Sequence, residues 1–459
     1  MNIVKLKSNE AIAFFAPFII LLFLYLSNKT SRDAFLERDI SFASINQYKA
    51  IILLTICLFV VVFSIYLSNF LLIIQDKGKK ISFSNYYVFV FTLIVLLPIL
   101  IDRYFHTTIF EYLHKLFRVS YISPIFADLR TILVGIGCDT VNSVGDPITC
   151  DKVSETIWNY PTILLQLRIF NLTESSTFWI GLAFIFIYIL AILRVSNQNL
   201  QNVFLIILLI SPPMLLVVNR GNFDLLISSC LILSGILLNK NKKFSLELSY
   251  LLCTGAAILK FYAIVAVFIL LLSKVSRKNL IYFVLSVSAF IAISYNDLLD
   301  LSKYVGKDMS GSLGLPVLLS HINGDKFAEL NILSLGGLVF SIFCLYYYNL
   351  IVKTIPTSNI KIYQNYIFIL LSFTFTCTWI LTSNYYYRLS LLVLVIPYFF
   401  HKLATKMEML IGICAFVSFY LSQRSLGIFF NILVLPLIIF NLSVLKDFIV
   451  ARYVVNEKK

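Results

Sequence analysis

Charge is what this chain lacks most. Asp, Glu, Lys and Arg make up 13% of its 459 residues, about half the share found in an ordinary soluble domain. Ile, Leu, Val and Phe fill the deficit, with 41 Phe alone and 59% hydrophobic residues overall. A single aqueous core cannot hide that much apolar surface, so a soluble globular enzyme is excluded and lipid is the expected solvent. Metal-binding patterns are missing too. The four His show no ligand spacing, and there is no CxxC, HExxH or phosphate-loop motif, so no metal and no cofactor is expected. Internal repeats and low-complexity linkers are absent. Acidic residues are the scarcer charge, 23 against 37 basic ones, for a net charge of +14. On a soluble chain that excess would raise the question of nucleic acid. Here it gathers in short segments between apolar runs, such as Lys77, Lys79 and Lys80 or Lys240, Lys242 and Lys243. That is the positive-inside pattern of a membrane protein and needs no nucleic-acid partner.

The apolar runs fall at 11–27, 50–74, 86–101, 177–193, 203–218, 223–238, 249–272, 279–295, 331–352, 364–382, 386–400, 409–422 and 427–445. They predict an all-α, polytopic protein with about 12 to 13 transmembrane helices. The first run has the length of a signal-peptide core behind Lys5 and Lys7, but no small-residue cleavage site follows, so it reads as an anchor. Two polar loops stand out, at 102–176 and 296–330. The expected division is an N-terminal transmembrane extension at 1–85, a transmembrane module with its large loop at 86–295, and a second loop with C-terminal helices at 296–459.

Basic residues orient the chain. Lys5, Lys7 and Lys77–Lys80 put the N-terminus and the second turn in the cytoplasm, which sends the 102–176 loop outside. Lys240–Lys243, Lys353, Lys361, Lys402, Lys406, Arg452, Lys458 and Lys459 return inside, as does the C-terminus. The run 249–272 poses a conflict. A single span would carry Lys274, Arg277 and Lys278 outside. Two half-helices of about eleven residues meeting near Lys260 would reach roughly 16 Å, half the bilayer, and keep both basic flanks inside. With that hairpin, the 102–176 loop, the turn at Asn219–Asn222, Lys260, the 296–330 loop and Ser383–Tyr385 all face one side, in a multi-pass protein of the cell membrane with an extracytoplasmic site.

Several residues on that side carry chemical interest. Asp128 lies in Ile122–Arg130, at the start of a weakly apolar stretch, where it is expected to be half-buried with Arg130 close by. Such a carboxylate could serve as a base, or it could simply cap a helix. Gly145-Asp146-Pro147 is a turn signal. Trp158-Asn159-Tyr160-Pro161 places aromatics that either belong to the interfacial belt or stack on a sugar ring. Arg220, Asn222 and Asp224 lie in a short turn between apolar runs, where Arg220 and Asp224 either act on a ligand or pair as i, i+4 neighbours. Lys260 is an intramembrane lysine, functional or snorkelling, and Arg388, following Asn384 and Tyr385, is open to the same two readings. Three cations at one membrane face suit a lipid-linked phosphate. Cys138 and Cys150 share the large polar loop, where they can pair in a disulfide if the loop is extracytoplasmic.

The order Asp128-Leu-Arg130, Gly145-Asp146-Pro147 and Asn159-Tyr160-Pro161 resembles the first large loop of polyprenyl-phosphate-dependent glycosyltransferases of the GT-C class, closest to glycosyltransferase family 87. Arg220-Gly-Asn-Phe-Asp224, Leu259-Lys260-Phe-Tyr262 and Asn384-Tyr-Tyr-Tyr-Arg388-Leu resemble further blocks of bacterial members. Thr162 and Ala263 stand where the family often has Pro. The resemblance implies an inverting transferase. It would move a sugar from a lipid-linked donor to a glycan or lipid hydroxyl acceptor outside the cell, among membrane lipids. Asp128 would be the general base, with Arg130, Asp146, Tyr160, Arg220, Asn222, Asp224, Lys260, Tyr385 and Arg388 binding substrate. Two alternatives stay open: an O-antigen polymerase or ligase, centred on Arg and His in late loops, and a polyisoprenoid or solute transporter, built from repeats and broken helices.

Overall fold

The computed structural model describes residues 97–105, 125–150, 157–158, 160–196, 202–273, 276–304, 312–313, 362–381, 384–401, 404–421 and 427–453, with single positions at 95, 110, 111 and 114. The expected spans at 11–27, 50–74 and 331–352, and the extension at 1–85, lie outside the described residues. Those described are overwhelmingly helical: α1 (Leu97–Phe105), α2 (Ala127–Ile136), α3 (Thr177–Ser196), α4 (Asn202–Leu209), α5 (Pro212–Arg220), α6 (Asp224–Lys240), α7 (Ser245–Leu259), α8 (Ile264–Ser273), α9 (Arg277–Tyr304), α10 (Tyr366–Leu381), α11 (Lys406–Leu421) and α12 (Gly427–Tyr453). A two-residue antiparallel pair joins β1 (Ser312–Leu313) to β2 (Asn384–Tyr385), with Ser312 opposite Tyr385. Among the described residues, two helical segments are long and apolar enough to cross a membrane, Glu174–Val195 and Arg277–Leu299, or three if α5 and α6 count as one broken span.

The run 203–218 is not one helix. Ser211, Pro212 and Pro213 divide it, because a proline inside a helix removes a hydrogen bond but fits the first turn well; α5 starts on Pro212. The helix axis then bends by 111° between α5 and α6. The segment 386–400 also departs from expectation. In place of a spanning α-helix it forms two 3-10 stretches, Tyr386–Leu392 and Ile396–Phe400. All residues from Leu389 to Phe400 are buried. A segment apolar all round sits inside a bundle rather than on its surface.

Packing fixes the direction of each element. Ser249 on α7 donates to the Ser234 carbonyl of α6 at 3.2 Å, and Lys260 meets Asp224 at 3.1 Å, so α7 runs back along α6. α8 reverses again. On α9, Lys278 binds Glu247 and Asn279 accepts from the Tyr250 hydroxyl at 2.7 Å, both near the start of α7. Farther along α9, Phe283 packs on Phe268 at 5.1 Å and Phe290 on Phe261 at 5.9 Å. α9 is therefore parallel to α7 and antiparallel to α8. Asn279 closes the open end of the hairpin, donating to the carbonyls of Leu270 and Leu271 at 3.1 and 2.9 Å. The chain at 249–272 is thus a hairpin with its tip at Lys260, and Lys240, Lys242, Lys243, Arg277 and Lys278 share the opposite end. α10 begins at that basic end, where Asn239 donates to Asn365 at 2.8 Å and Tyr366 to the Ser273 carbonyl at 3.4 Å. α12 returns to it, with Asn441 on Thr376 at 3.0 Å and Phe448 against Tyr366 at 5.7 Å.

Candidate functional site

Three interruptions in helices create the site at the end away from the basic turns. The first is the turn between α5 and α6. Gly221 has φ 60°, a left-handed conformation that glycine adopts without strain. Its N–H reaches the Val218 carbonyl at 3.0 Å, and the Asn222 N–H reaches Val217 at 3.2 Å, which closes the C-terminus of α5. The Asn222 side chain then opens α6, its Oδ1 accepting the Asp224 N–H at 3.1 Å. The second interruption is Lys260, extended at φ −148°, ψ 118°, between α7 and the 3-10 turn Phe261–Ala263. The third is the start of the buried 386–400 segment, which carries Arg388.

α2 brings the fourth component. Its leading residue, Phe126, is held at φ 67°, an unfavourable conformation for a bulky side chain that persists only where the surroundings over-determine it. Here they do. The Phe126 N–H donates to the Asn219 carbonyl, and its ring lies so close to Gly181 of α3 that a Cβ there would come within 2.3 Å of it. A Cβ on Gly221 would lie 2.8 Å from that of Phe126. Two glycines therefore seat Phe126, and Phe126 aims the first turn of α2, with Asp128, at the α5–α6 turn.

The four components join in one polar network. Arg220 Nε donates to Asp128 Oδ1 at 2.8 Å, and Asn222 Nδ2 donates to Oδ2 at 2.6 Å. Asn222 Oδ1 in turn accepts from the Lys260 ammonium. Lys260 pairs with Asp224 at 3.1 Å, Tyr262 donates its hydroxyl to the same carboxylate, and the Arg388 guanidinium lies 4.6 Å from the Tyr262 ring centroid. Asp224 is fully buried, whereas the side chain of Asp128 is 11% exposed and that of Arg220 27%. Three cations, Arg220, Lys260 and Arg388, thus gather with Asp128 and Asp224 in one cluster. Such a group can hold an anion next to a carboxylate that accepts protons.

Asp128, Arg220, Asn222, Asp224, Lys260 and Arg388 are thus brought together. Asp128 sits inside α2 and does not cap it, since the capping position belongs to Phe126. Arg220 ends one helix and Asp224 begins another, so an i, i+4 pair on a continuous helix is ruled out. Lys260 is 14% exposed, and its ammonium is bonded within the network. Arg130, expected beside Asp128, ties α2 to Glu174 at 2.6 Å, and the cation on Asp128 is Arg220. Asp146 organises its own turn, accepting the N–H groups of Asn142 and Ser143 at 2.8 Å. The Asn142 bond, with help from Ser143, holds its carboxyl below the usual carboxylate range. Tyr160 packs at 5.6 Å on Trp158, which is fully buried against Gly135 and belongs to neither an interfacial belt nor an open sugar platform. Tyr385 lies on β2, and Asn159 lies outside the described residues. Cys138 and Cys150 form a disulfide with Cα atoms 5.7 Å apart. Tyr262 and Phe126 were given no role from the sequence; the Lys-Phe-Tyr motif held a signal for the first, and nothing local marked the second.

No protein-family model matches the chain, and neither does any curated protein or solved structure.

Proposed function

We propose that the chain is an integral membrane glycosyltransferase of the GT-C class, similar to family 87, with about 12 to 13 spans. It would move a sugar from a polyprenyl-phosphate donor to a lipid or glycan hydroxyl at the extracytoplasmic face of the cell membrane. The observation that carries this reading is the network joining Asp128 to three cations at the end of the bundle opposite the basic turns. Positive turns favour the cytoplasm, so the network and the 102–176 loop belong outside, with both termini inside. The Cys138–Cys150 disulfide supports the same assignment, because such bonds persist in oxidising compartments.

The division of labour follows from burial. Asp224 is fully buried and committed to Lys260 and Tyr262, so it fixes Lys260 and the ring on which Arg388 rests. Asp128 is partly open, and each of its oxygens keeps a lone pair beyond its bond to Arg220 or Asn222. It is the general base. The acceptor oxygen attacks the anomeric carbon from the face opposite the phosphate, and its proton passes to Asp128. The bond from that carbon to the phosphate oxygen breaks, and the electron pair leaves with the polyprenyl phosphate. Negative charge grows on the phosphate as this happens. Arg220, Arg388 and Lys260 then stabilise the transition state more than the ground state. The leaving group needs no acid.

Purified protein in lipid nanodiscs, given a panel of polyprenyl-phosphate sugars and hydroxyl acceptors, should release polyprenyl phosphate only when donor and acceptor are both present. Absence of release across the panel, with the protein folded, would refute the transferase reading. A transporter is the second reading, favoured by one observation: the two helix breaks at Gly221–Phe223 and Lys260–Ala263 meet at the network, as broken helices do at transport sites. Donor movement across the bilayer without covalent transfer would select it.

A further inference from the structure

The 3-10 segment Thr162–Phe170 lies between two helices long enough to span a membrane. At its start, Thr162 donates its N–H and hydroxyl to Asp297 of α9 at 2.9 and 2.8 Å, two residues before the apolar span Arg277–Leu299 ends. At its finish, Asn171 turns the chain through a left-handed residue, and the span Glu174–Val195 begins three residues later. Nine residues at about 2 Å each make a bar of roughly 18 Å, with its two ends fixed at the outer ends of α9 and α3. Residues three apart share a face in such a helix. Leu164 and Leu165 are buried, while Ile163, Gln166 and Ile169 point outward; Ile169 is 76% exposed, and Phe170 next to it 63%. Trp179, in the first turn of α3, is 63% exposed. This apolar edge continues into the outward face of α3, where Phe186 is 58% exposed.

We infer that Thr162–Phe170 lies flat in the headgroup boundary of the leaflet on the side of the site, with Ile169, Phe170 and Trp179 inserted among the upper acyl chains. The occupant of this surface is lipid. Its level is set by the two spans that pin it, and its exposed residues are of the kind that favour the interface. Arg168 carries the contact to the site. Its guanidinium donates to the carbonyls of Ile136 at 2.8 Å and Cys138 at 2.6 Å, and to that of Val141. Ile136 ends the helix whose first turn holds Asp128, and Cys138 and Val141 lie just beyond it. The leaflet surface thereby sets the height of Asp128. The inference rests on the membrane reading of the chain and not on the transfer reaction.

The protein contains three Trp, of which Trp158 and Trp379 are fully buried, so subtracting the emission of the Trp179→Phe protein leaves that of a single added reporter. Full-length Phe170→Trp protein in a Trp179→Phe background, reconstituted in phosphatidylcholine vesicles, should emit at short wavelength. Lipids brominated high on the acyl chain should quench it about two-fold, with weaker quenching by lipids brominated near the chain end and by aqueous acrylamide. Phe186→Trp in the same background, in the middle of α3, is the control and should respond most to chain-end bromines. Strong acrylamide quenching of Phe170→Trp without bromolipid quenching would overturn the inference by placing the segment in water. Protection from both quenchers would overturn it by placing protein over the surface. An unquenched Phe186→Trp would instead overturn the membrane reading itself.

Discussion

Replacing Lys260 with Met removes a charge but strands another. Its partner Asp224 is fully buried and 3.1 Å away. At an effective dielectric of about 20 the pair attracts by about 5 kcal/mol, much of which offsets the cost of burying both ions. Removing one partner leaves that cost uncompensated, which gives an expected loss of about 3–5 kcal/mol for Lys260→Met. The Tyr262 hydroxyl remains on the carboxylate but cannot neutralise it. Adding Asp224→Asn removes the stranded charge and keeps an oxygen to accept from Tyr262. The double variant should therefore recover more than about 1.5 kcal/mol of the summed single losses, a coupling expected only of residues in direct contact. Titration with dodecyl sulfate in mixed micelles, followed by circular dichroism, reads these differences. Lys260→Arg, which keeps the charge on a longer side chain, should fall between parent and Lys260→Met. Simple additivity of the two single losses, or a Lys260→Met protein as stable as the parent, would refute the buried pair.

Other outcomes follow from the same geometry. Arg388→Gln should weaken donor affinity about 10–100-fold, the value of one or two charge-assisted bonds to phosphate, measured by polyprenyl-phosphate binding in nanodiscs; unchanged affinity would remove Arg388 from the anion site. Gly181→Leu should displace Phe126 and with it Asp128, lowering turnover while the basic end stays protected from proteolysis; full activity would show that Phe126 does not aim the base. Breaking the disulfide with Cys150→Ser should cost about 3 kcal/mol for so short a loop, and a stability equal to the parent's would contradict the bond. In a background retaining only Cys138 and Cys150, Ser276→Cys and Lys242→Cys should both resist an impermeant maleimide in intact cells, while Thr173→Cys should react. Labelling of Ser276→Cys with Lys242→Cys protected would reverse the hairpin.

The residues of the network were legible because ions are costly among apolar neighbours. Lys260, Arg220 and Arg388 each interrupt an apolar run, and a charge in such a place demands a partner. The hairpin was legible for a related reason: Lys240–Lys243 and Lys274–Lys278 cannot sit on opposite sides without breaking the charge rule. The partners themselves were not legible. Asp128 meets Arg220 across 92 residues, and Thr162 meets Asp297 across 135, separations at which no spacing rule applies. Arg130 looked like the cation for Asp128 because it is near in sequence, yet Arg130 serves Glu174. The break before α5 did leave a signal in Pro212 and Pro213, which should have outweighed the apolar run around them. The 3-10 form of 386–400 left none, since an apolar run of that length reads equally well as a spanning helix.

Under the proposed mechanism, Asp128 takes the acceptor's proton. Asp128→Asn keeps the shape of the side chain and an oxygen for the Arg220 bond, but it cannot take up a proton at neutral pH. Polyprenyl phosphate released from a lipid-linked sugar donor, measured by mass spectrometry in nanodiscs with parent and variant at equal donor occupancy, tests this directly. The expected result is a fall in turnover of about 10²–10⁴-fold with donor binding retained. Turnover within a few-fold of the parent would contradict the assignment.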